Sequence, residues 1–383
     1  MKCILCNNET ITINWGKTPI AGYKVNTIKE SLEQPAFPLD MMFCPNCNFT
    51  RYKQYPGMKK IFKKLYKEQE STYSISQKIS SYIQNLITQL SNKYNLSSKS
   101  TILEIGCNDG SLLHYFNKII GCKTLGIEPS THFKDIWDYY GLNVYNEFFT
   151  SKTLGKINKK INLIILRHVL EHISDLNEII ENIASILTKN SILIIEVPYL
   201  KTIINSQRLE NISHPHINYF SIKSMNELIS KFSLGIKEFN IVPTDGGSIL
   251  FHIMKNYKTD KSILDNIIEK DFIKLKDFYI KRKYEITKIL KEYSKNEIVG
   301  AGAGAKGSHL IYLFELEKFI DIVFDVQSNF FNKYIPNTKI VIKPEDYNPR
   351  ILKAVINLAP THTEKIKHRI PKKLKLINII KNK

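Results

Sequence analysis

The sequence predicts an α/β protein of three parts. A small N-terminal cysteine module leads into a central doubly wound unit closed by an antiparallel hairpin, and a second Rossmann-like α/β unit follows. Three observations carry this. Short apolar runs alternate with helical stretches through residues 98–255, as in a parallel sheet buried on both faces. A strand, a glycine loop and a helix follow one another twice, at 101–113 and at 297–307. Two C-x-x-C pairs precede both.

The 383 residues suffice for two or three domains, and a hydrophobic content of 43% is ordinary for a globular chain. No run approaches the ~20 apolar residues that span a bilayer. The start, Met1-Lys-Cys-Ile-Leu-Cys6, is too short and polar in its sequel to be read as a signal peptide. A cytoplasmic protein with no membrane partner is expected. The formal charge of +19 admits nucleic acid, an anionic membrane surface or phosphorylated substrates. The lysines are dispersed through a chain rich in Lys, Ile and Asn. That fits a bias of composition better than a nucleic-acid stripe.

Residues 1–55 hold Cys3, Cys6, Cys44 and Cys47. Each C-x-x-C places two thiolates at a tight turn, and two such knuckles complete a tetrahedral site for Zn2+. The 37 intervening residues exceed the usual ribbon spacing. A closed four-cysteine site has no open position, so the zinc is read as structural. Cys107 and Cys122 are read as small buried fillers.

Residues 56–97 predict a helical connector. Ile75, Ile79, Ile83 and Ile87 recur at four-residue steps beside Tyr82, Leu86 and Leu90. The preceding Glu68-Gln-Glu-Ser-Thr-Tyr-Ser74 falls where a lid over a nucleotide site would lie.

Residues 98–255 predict the central unit, with strands at Thr101–Ile105, Lys123–Ile127, 142–145, 163–166 and 191–197. The first strand runs into a turn containing Gly106, Asn108, Asp109 and Gly110, and the second ends at Glu128. The glycines admit a ligand close to the backbone, and Glu128 is placed to accept ribose hydroxyls. Acids at Glu104 and Asp109 suit a cationic, amine-bearing ligand better than a pyrophosphate. The pattern therefore points to S-adenosylmethionine (SAM). Glu147 and Phe148, after the third strand, fall where an adenine is expected, and His168, after the fourth, is assigned to the same cofactor site. Two apolar runs flank Asp245-Gly-Gly, a hairpin signal. A parallel sheet closed by a hairpin, with one reversed strand at its edge, is the class I methyltransferase topology.

Residues 256–295 predict a charged helical linker, and residues 296–383 a C-terminal substrate-binding α/β domain. There Gly302, Gly304 and Gly307 formally satisfy G-x-G-x-x-G, with Asp325 ending the next strand, at 320–324. That reads as an NAD site on motif alone. Lys306 inside the loop favours the phosphates of a sugar nucleotide, so Gly304, Lys306, Gly307 and Asp325 are assigned to substrate. A further strand is predicted at 354–358.

The chemistry-bearing segment is Asn211-Ile-Ser-His-Pro-His-Ile-Asn-Tyr-Phe-Ser221. His214 and His216 flank a proline that restricts the backbone, with Tyr219 close by. Histidine suits proton removal near neutral pH, so His216, His214 and Tyr219 are the catalytic candidates. His168 and His172 carry Glu171 between them, but H-V-L-E-H is not the H-E-x-x-H zinc pattern.

With these residues in place the chain resembles the three-domain SAM-dependent sugar C-methyltransferases of deoxysugar biosynthesis. The resemblance covers nearly the whole length. It takes in the four cysteines, the loop from Glu104 to Gly110, Gly126-Ile-Glu-Pro129 and His168-Val-Leu-Glu-His-Ile-Ser-Asp-Leu176. It continues through Glu196-Val-Pro-Tyr-Leu200, Asn218-Tyr-Phe-Ser221, Gly246-Gly-Ser248, Gly304-Ala-Lys-Gly307 and Asn357-Leu-Ala359. It implies methylation at carbon 3 of a nucleotide-linked 4-keto-6-deoxysugar. A base removes the proton beside the ketone, and the enolate attacks the SAM methyl group in line. It also implies a structural zinc and a C-terminal domain that helps hold the nucleotide sugar. The family loop reads Tyr-His-Glu-His, whereas this chain has Ser213-His-Pro-His216. The family's Tyr-His-Ser-Ser segment reads Gln69-Glu-Ser-Thr72 here. O-methylation of a sugar hydroxyl with a histidine base, or an RNA substrate, are the alternatives. A monomer acting on a small nucleotide sugar, without nucleic acid, is expected.

Overall fold

The computed structural model describes residues 1–67, 80–157, 160–347 and 351–380. The expected lid segment 68–74, with Gln69 to Thr72, and the helix positions Ile75 and Ile79 lie outside the described residues.

Among the described residues the strands form three sheets. The central, seven-stranded sheet runs in the order Leu234–Val242, Ser248–Lys255, Ile192–Pro198, Leu163–Arg167, Thr101–Ile105, Lys123–Ile127, Val144–Tyr145. From Ile192–Pro198 to Val144–Tyr145 all pairs are parallel. The apolar runs at 101–105 and 192–198 are buried at every position, which is why they show no alternation.

The hairpin forms where Asp245-Gly-Gly predicts it, but the reversed strand does not lie at the edge. Ser248–Lys255 is antiparallel to both Ile192–Pro198 and Leu234–Val242 and sits between them. Burial explains this placement. Ile249, Leu250, Phe251 and Ile253 are all buried, so both faces of that strand need cover. The outer half of Leu234–Val242 carries Lys237, Glu238 and Asn240 and tolerates the edge.

Helix Ser81–Lys93, capped by the Ser80 hydroxyl, lays Leu86, Ile87 and Leu90 on one face of this sheet against Ile102, Phe116 and Ile194. The other face shares a core with the cysteine module: Cys3, Cys44, Cys47 and Phe49 pack with Phe220, Met225 and Leu228.

The N-terminal sheet is antiparallel, in the order Ile11–Pro19, Ala36–Phe43, Thr50–Tyr52, Asn218–Tyr219. Its last strand comes from the central part of the chain, with Thr50 opposite Tyr219 and Arg51 opposite Asn218. The segment holding His214 and His216 is thus anchored to the N-terminal sheet. The charged stretch after the hairpin contains the helix Glu269–Leu290. This helix packs Phe272, Leu275, Ile286 and Leu290 into a core shared with Trp15, Phe43 and the C-terminal part.

The third sheet is parallel, in the order Val341–Pro344, Ile322–Asp325, Ile298–Ala301, Ala354–Asn357, Lys375–Asn378. No described helix is long and apolar enough to cross a membrane.

Candidate active site and metal centre

The two cysteine knuckles have the same backbone. Cys3 N–H donates to Asn8 O at 2.8 Å and Asn7 N–H to Cys3 O at 2.9 Å; Cys44 N–H donates to Phe49 O and Asn48 N–H to Cys44 O, both at 2.9 Å. Asn7 and Asn48 both adopt positive φ, at 60° and 59°, a region asparagine tolerates. The turns bring the four sulfurs within 4.8 Å of one another. Cys3 Sγ stands 3.6 Å from Cys47 Sγ, and Cys6 Sγ 3.4 Å from Cys44 Sγ. Sulfurs this far apart are not disulfides, and the set is what a tetrahedral thiolate site requires. Leu5 N–H and Asn8 Nδ2 each donate to a sulfur at 3.4 Å. The bond with Cys47 stabilises the Cys3 thiolate against burial and lowers its pKa to about 5. The four cysteines therefore form a cluster able to hold a metal ion.

The first glycine loop gathers carboxylates around the end of its strand. Gly106 has φ 73°, and a Cβ there would meet Val169 Cγ2 at 2.4 Å, so no side chain fits. Gly110 is the N-cap of helix Ser111–Ile120. Asp109 is buried; one oxygen accepts from Ser111 N–H at 2.9 Å and the other has no partner. Glu104 is buried on its strand with Oε2 also unpartnered. Burial pushes its carboxyl up to about 8, against the opposing charge of Arg167. Buried carboxylates that lack partners are suited to a cationic ligand.

Glu128 accepts Asn108 N–H at 3.0 Å and Ser130 N–H at 2.9 Å, so both its oxygens also tie the loop. Phe148 is 40% exposed, open for stacking. Glu147 instead pairs with Lys156 Nζ at 2.6 Å on the surface.

Beside these carboxylates runs an ionic network. Glu196, two residues before the end of its strand and 0% exposed, accepts Arg167 Nε at 2.7 Å and Tyr82 O–H at 2.9 Å on one oxygen. Its other oxygen accepts the Thr244 hydroxyl and lies 3.2 Å from His168 Nε2. His168 Nδ1 is 3.3 Å from Glu171 Oε1. Burial alone would lower the His168 pKa, but the two carboxylates outweigh it and raise it to about 10. His168 is therefore an imidazolium at neutral pH, and it belongs to this network.

The two histidines of the H-P-H segment part company at a turn, with His216 N–H donating to Ser213 O at 3.0 Å. His214 is buried against the N-terminal sheet. Its Nδ1 is 3.4 Å from Thr18 Oγ1, and its Nε2 is 3.1 Å from Pro38 O. Both nitrogens are engaged, so His214 does not present a bare base. His216 faces the other way. Its ring lies 5.1 Å from that of His172, and one ligand atom from each of Glu171, His172 and His216 lies within 4.8 Å of the others. Its Nδ1 is buried without a partner. Burial, aided by the neighbouring His172, lowers its pKa to about 4, so it is neutral near pH 7. The Tyr219 hydroxyl donates to Asn211 O at 2.8 Å and accepts Ser213 N–H at 3.1 Å. It braces the loop instead of facing the cleft.

The second glycine loop links to the same cleft through Lys306, which pairs with the Asp245 carboxylate at the hairpin turn. The charges of both reach His216. Lys306 thus joins the C-terminal part to the central one and does not stand over its own loop. Gly307 is required by contact: a Cβ there would lie 1.9 Å from Gly302 O. Gly304 faces open space. Asp325 accepts Ala303 N–H at 2.6 Å and Gln327 N–H at 2.9 Å, the same loop-tying role that Glu128 plays.

Arg167, Glu171, Glu196, Tyr82 and Asp245 complete the network without being chosen from the sequence. For Arg167 and Glu196 a signal existed, since each is a charged residue at or near the end of a buried apolar strand. Lys24 had none. It reaches from the N-terminal part to Ser308 Oγ at 3.1 Å, and burial draws its ammonium down to about 7.

Comparison with known proteins agrees with this arrangement. A methyltransferase-domain family model matches residues 76–236, and a C-methyltransferase C-terminal-domain model matches residues 243–375. The chain is similar to the C-methyltransferase NovU of Streptomyces niveus, 23% identical over 256 residues. That match spans 65% of this chain and 59% of NovU, less than two thirds of the relative's length. Among solved structures, a magnesium protoporphyrin IX methyltransferase from Synechocystis PCC 6803 with bound SAM is 12% identical. It covers 52% of this chain and 92% of its own, with a TM-score of 0.35. A putative sarcosine dimethylglycine methyltransferase from Galdieria sulphuraria is 10% identical, covering 47% and 86%, with a TM-score of 0.38. Scores of this size carry no argument. The two matched regions follow one another along the chain, which is thus similar in its middle to a methyltransferase domain and after it to a C-methyltransferase C-terminal domain.

Proposed function

We propose that this protein is a SAM-dependent methyltransferase acting on a nucleotide-linked 4-keto deoxysugar. The observation that carries the reading is one continuous chain of ionisable groups. It runs from the unpartnered carboxylate of Glu104, past Arg167, Glu196, His168 and Glu171, to the bare imidazole of His216. One end suits a cationic donor, and the other suits removal of a proton.

SAM, when bound, supplies a methyl group on a sulfonium. Glu104 and Asp109 would hold its cationic end, with Phe148 beside the adenine and Glu128 beside the ribose. The sugar carbonyl makes the adjacent C–H acidic. His216, neutral at pH 7, would take that proton at Nδ1 and leave an enolate as the acceptor for the methyl group that the bound donor would supply. His168, held as an imidazolium by Glu171 and Glu196, stabilises the negative charge that develops. Lys306 and Asp245 keep the C-terminal domain closed over the acceptor, with Gly304, Gly307 and Lys24 near its nucleotide. Zinc at Cys3, Cys6, Cys44 and Cys47 is structural in this reading and fixes the N-terminal sheet on which the His216 segment is anchored.

The replacement of the family's loop acid by Pro215 favours a second reading. With Glu171 beside His216, the same base serves O-methylation of a sugar hydroxyl.

The test is incubation with SAM and a panel of nucleotide sugars, scored by mass for a gain of one methyl and by NMR for its position. A C-methylated keto sugar is expected. An O-methylated product moves the assignment to the second reading. Methyl transfer to RNA, with none to any sugar, overturns both.

A further inference from the structure

We propose that Glu171, His172 and His216 form a second metal site, separate from the four cysteines, for a divalent first-row transition cation. Its binding does not depend on the function proposed above; only its consequence for turnover does.

The three residues come from two loops that meet at the strand ends. Glu171 and His172 lie in the short helix Leu170–His172 after the strand Leu163–Arg167, and His216 follows the turn at Pro215. One ligand atom of each is within 4.8 Å of the other two. Three ligands each about 2.1 Å from one metal stand roughly 3.4–3.6 Å apart, so inward side-chain shifts of less than about 1 Å close the set.

Two atoms in the cluster lack the partner that burial demands. Glu171 is 1% exposed, and its Oε2 has no hydrogen bond; His216 Nδ1 is likewise buried and unpartnered. A carboxylate oxygen accepts, and with the ring proton on Nε2 the His216 Nδ1 accepts as well, so in that tautomer neither satisfies the other. A cation satisfies both at once.

The surroundings supply what metal-ligating groups need. His172 Nδ1 donates to Pro215 O at 2.6 Å. A carbonyl only accepts, so the proton is on Nδ1, and Nε2 carries the lone pair. That is the arrangement by which a backbone carbonyl orients a histidine ligand. The other Glu171 oxygen is 3.3 Å from His168 Nδ1, which fixes the carboxylate. Two imidazoles and one carboxylate suit zinc, cobalt, nickel or iron(II), and the lack of thiolates sets this site apart from the four-cysteine one.

The cation would use the same Nδ1 lone pair that proton removal needs. Loaded and empty forms of the site are therefore exclusive states, and the loaded form is inhibited.

The experiment uses the full chain with its cysteine site occupied. Cobalt(II) is titrated, metal per chain is counted by mass spectrometry, and the visible spectrum is recorded. The expected result is one further equivalent, with the ligand-field bands of nitrogen and oxygen donors and no added thiolate charge-transfer band. In H216N and in E171Q its affinity should fall by at least about the 10–100-fold that loss of an outer-shell partner produces. Both variants should keep the cysteine-bound metal and bind SAM, which shows that they fold. No further equivalent, or one that both variants retain with unchanged affinity, overturns the site. Turnover should fall as the equivalent fills and return with a weak chelator. Filling without loss of turnover supports the site and instead overturns His216 as the base.

Discussion

Lys306, in the first turn of the helix Ala305–Phe314, is ion-paired with Asp245 at the tip of the hairpin in the central sheet. The pair couples the C-terminal domain to the cleft. Burial alone would raise the Asp245 carboxyl, but the Lys306 ammonium holds it well below the usual range. The side chains are 24% and 27% exposed, so the pair is neither free in solvent nor fully dry. Removing one partner of a fully buried pair costs about 3–5 kcal/mol, which solvent reduces here to roughly 1–3 kcal/mol. K306M and D245N should each destabilise by that amount in urea denaturation, and the double variant should lose less than the sum. An additive cycle would mean that the contact contributes nothing.

His216 and His214 should separate cleanly on substitution. H216N removes the unpartnered nitrogen of the cleft and should lower kcat by about 10²–10⁴-fold with SAM affinity unchanged. H214N should leave kcat near normal in the folded fraction. It breaks the contacts with Thr18 and Pro38 and should lower stability by roughly 1–3 kcal/mol. Turnover lost equally in both variants would return the choice of base to an open question.

The same pair shows what was legible in the sequence. In Ser213-His-Pro-His216 the two histidines read alike, since each is a titratable ring beside one proline. Their difference depends on partners far away in the chain, Thr18 and Pro38 for one and Glu171 and His172 for the other. Local patterns read well: Thr101–Ile105, Gly106, the cysteine knuckles and the hairpin are fixed by residues within a few positions of themselves. Lys306 was legible as part of a glycine loop, but its partner was not, because nothing local ties position 306 to position 245. The inner position of the Ser248–Lys255 strand was in fact readable. Its continuous apolar run marks a strand covered on both faces, and the charged outer half of its neighbour marks the edge.

Glu104 makes donor binding depend on pH. Burial raises its carboxyl from an ordinary 4.5 to about 8. The folded state therefore holds that proton more tightly than the unfolded chain. The resulting stability is full below pH 4.5 and is lost as pH rises to about 8. A cationic donor requires the ionised form, so binding should release a proton within this window. SAM affinity should rise by up to about tenfold per pH unit until pH 8 and then level off. E104Q should flatten the profile. Calorimetry in two buffers of different protonation enthalpy measures the proton directly, and identical heats in both would refute this coupling.

Loss of the cysteine-bound metal should act on chemistry through the fold. C47S leaves three thiols, too few for a closed tetrahedral site, and should purify without the roughly one zinc per chain expected of the native protein. The knuckle at Cys44–Cys47 leads directly into Thr50–Tyr52, which pairs with Asn218–Tyr219 two residues beyond His216. Phe49, next to that knuckle, packs on Phe220 at 5.7 Å between ring centroids. Freeing the knuckle should therefore loosen the His216 segment. The donor-side residues stand on Thr101–Ile105 and Lys123–Ile127, which are held by parallel pairing within the central sheet, and should survive. The expected result is a lower Tm, protease sensitivity within residues 1–55 and a loss of turnover of about tenfold or more, with SAM binding retained. Native Tm and turnover in metal-free C47S would show that the sheet holds the segment without the ion.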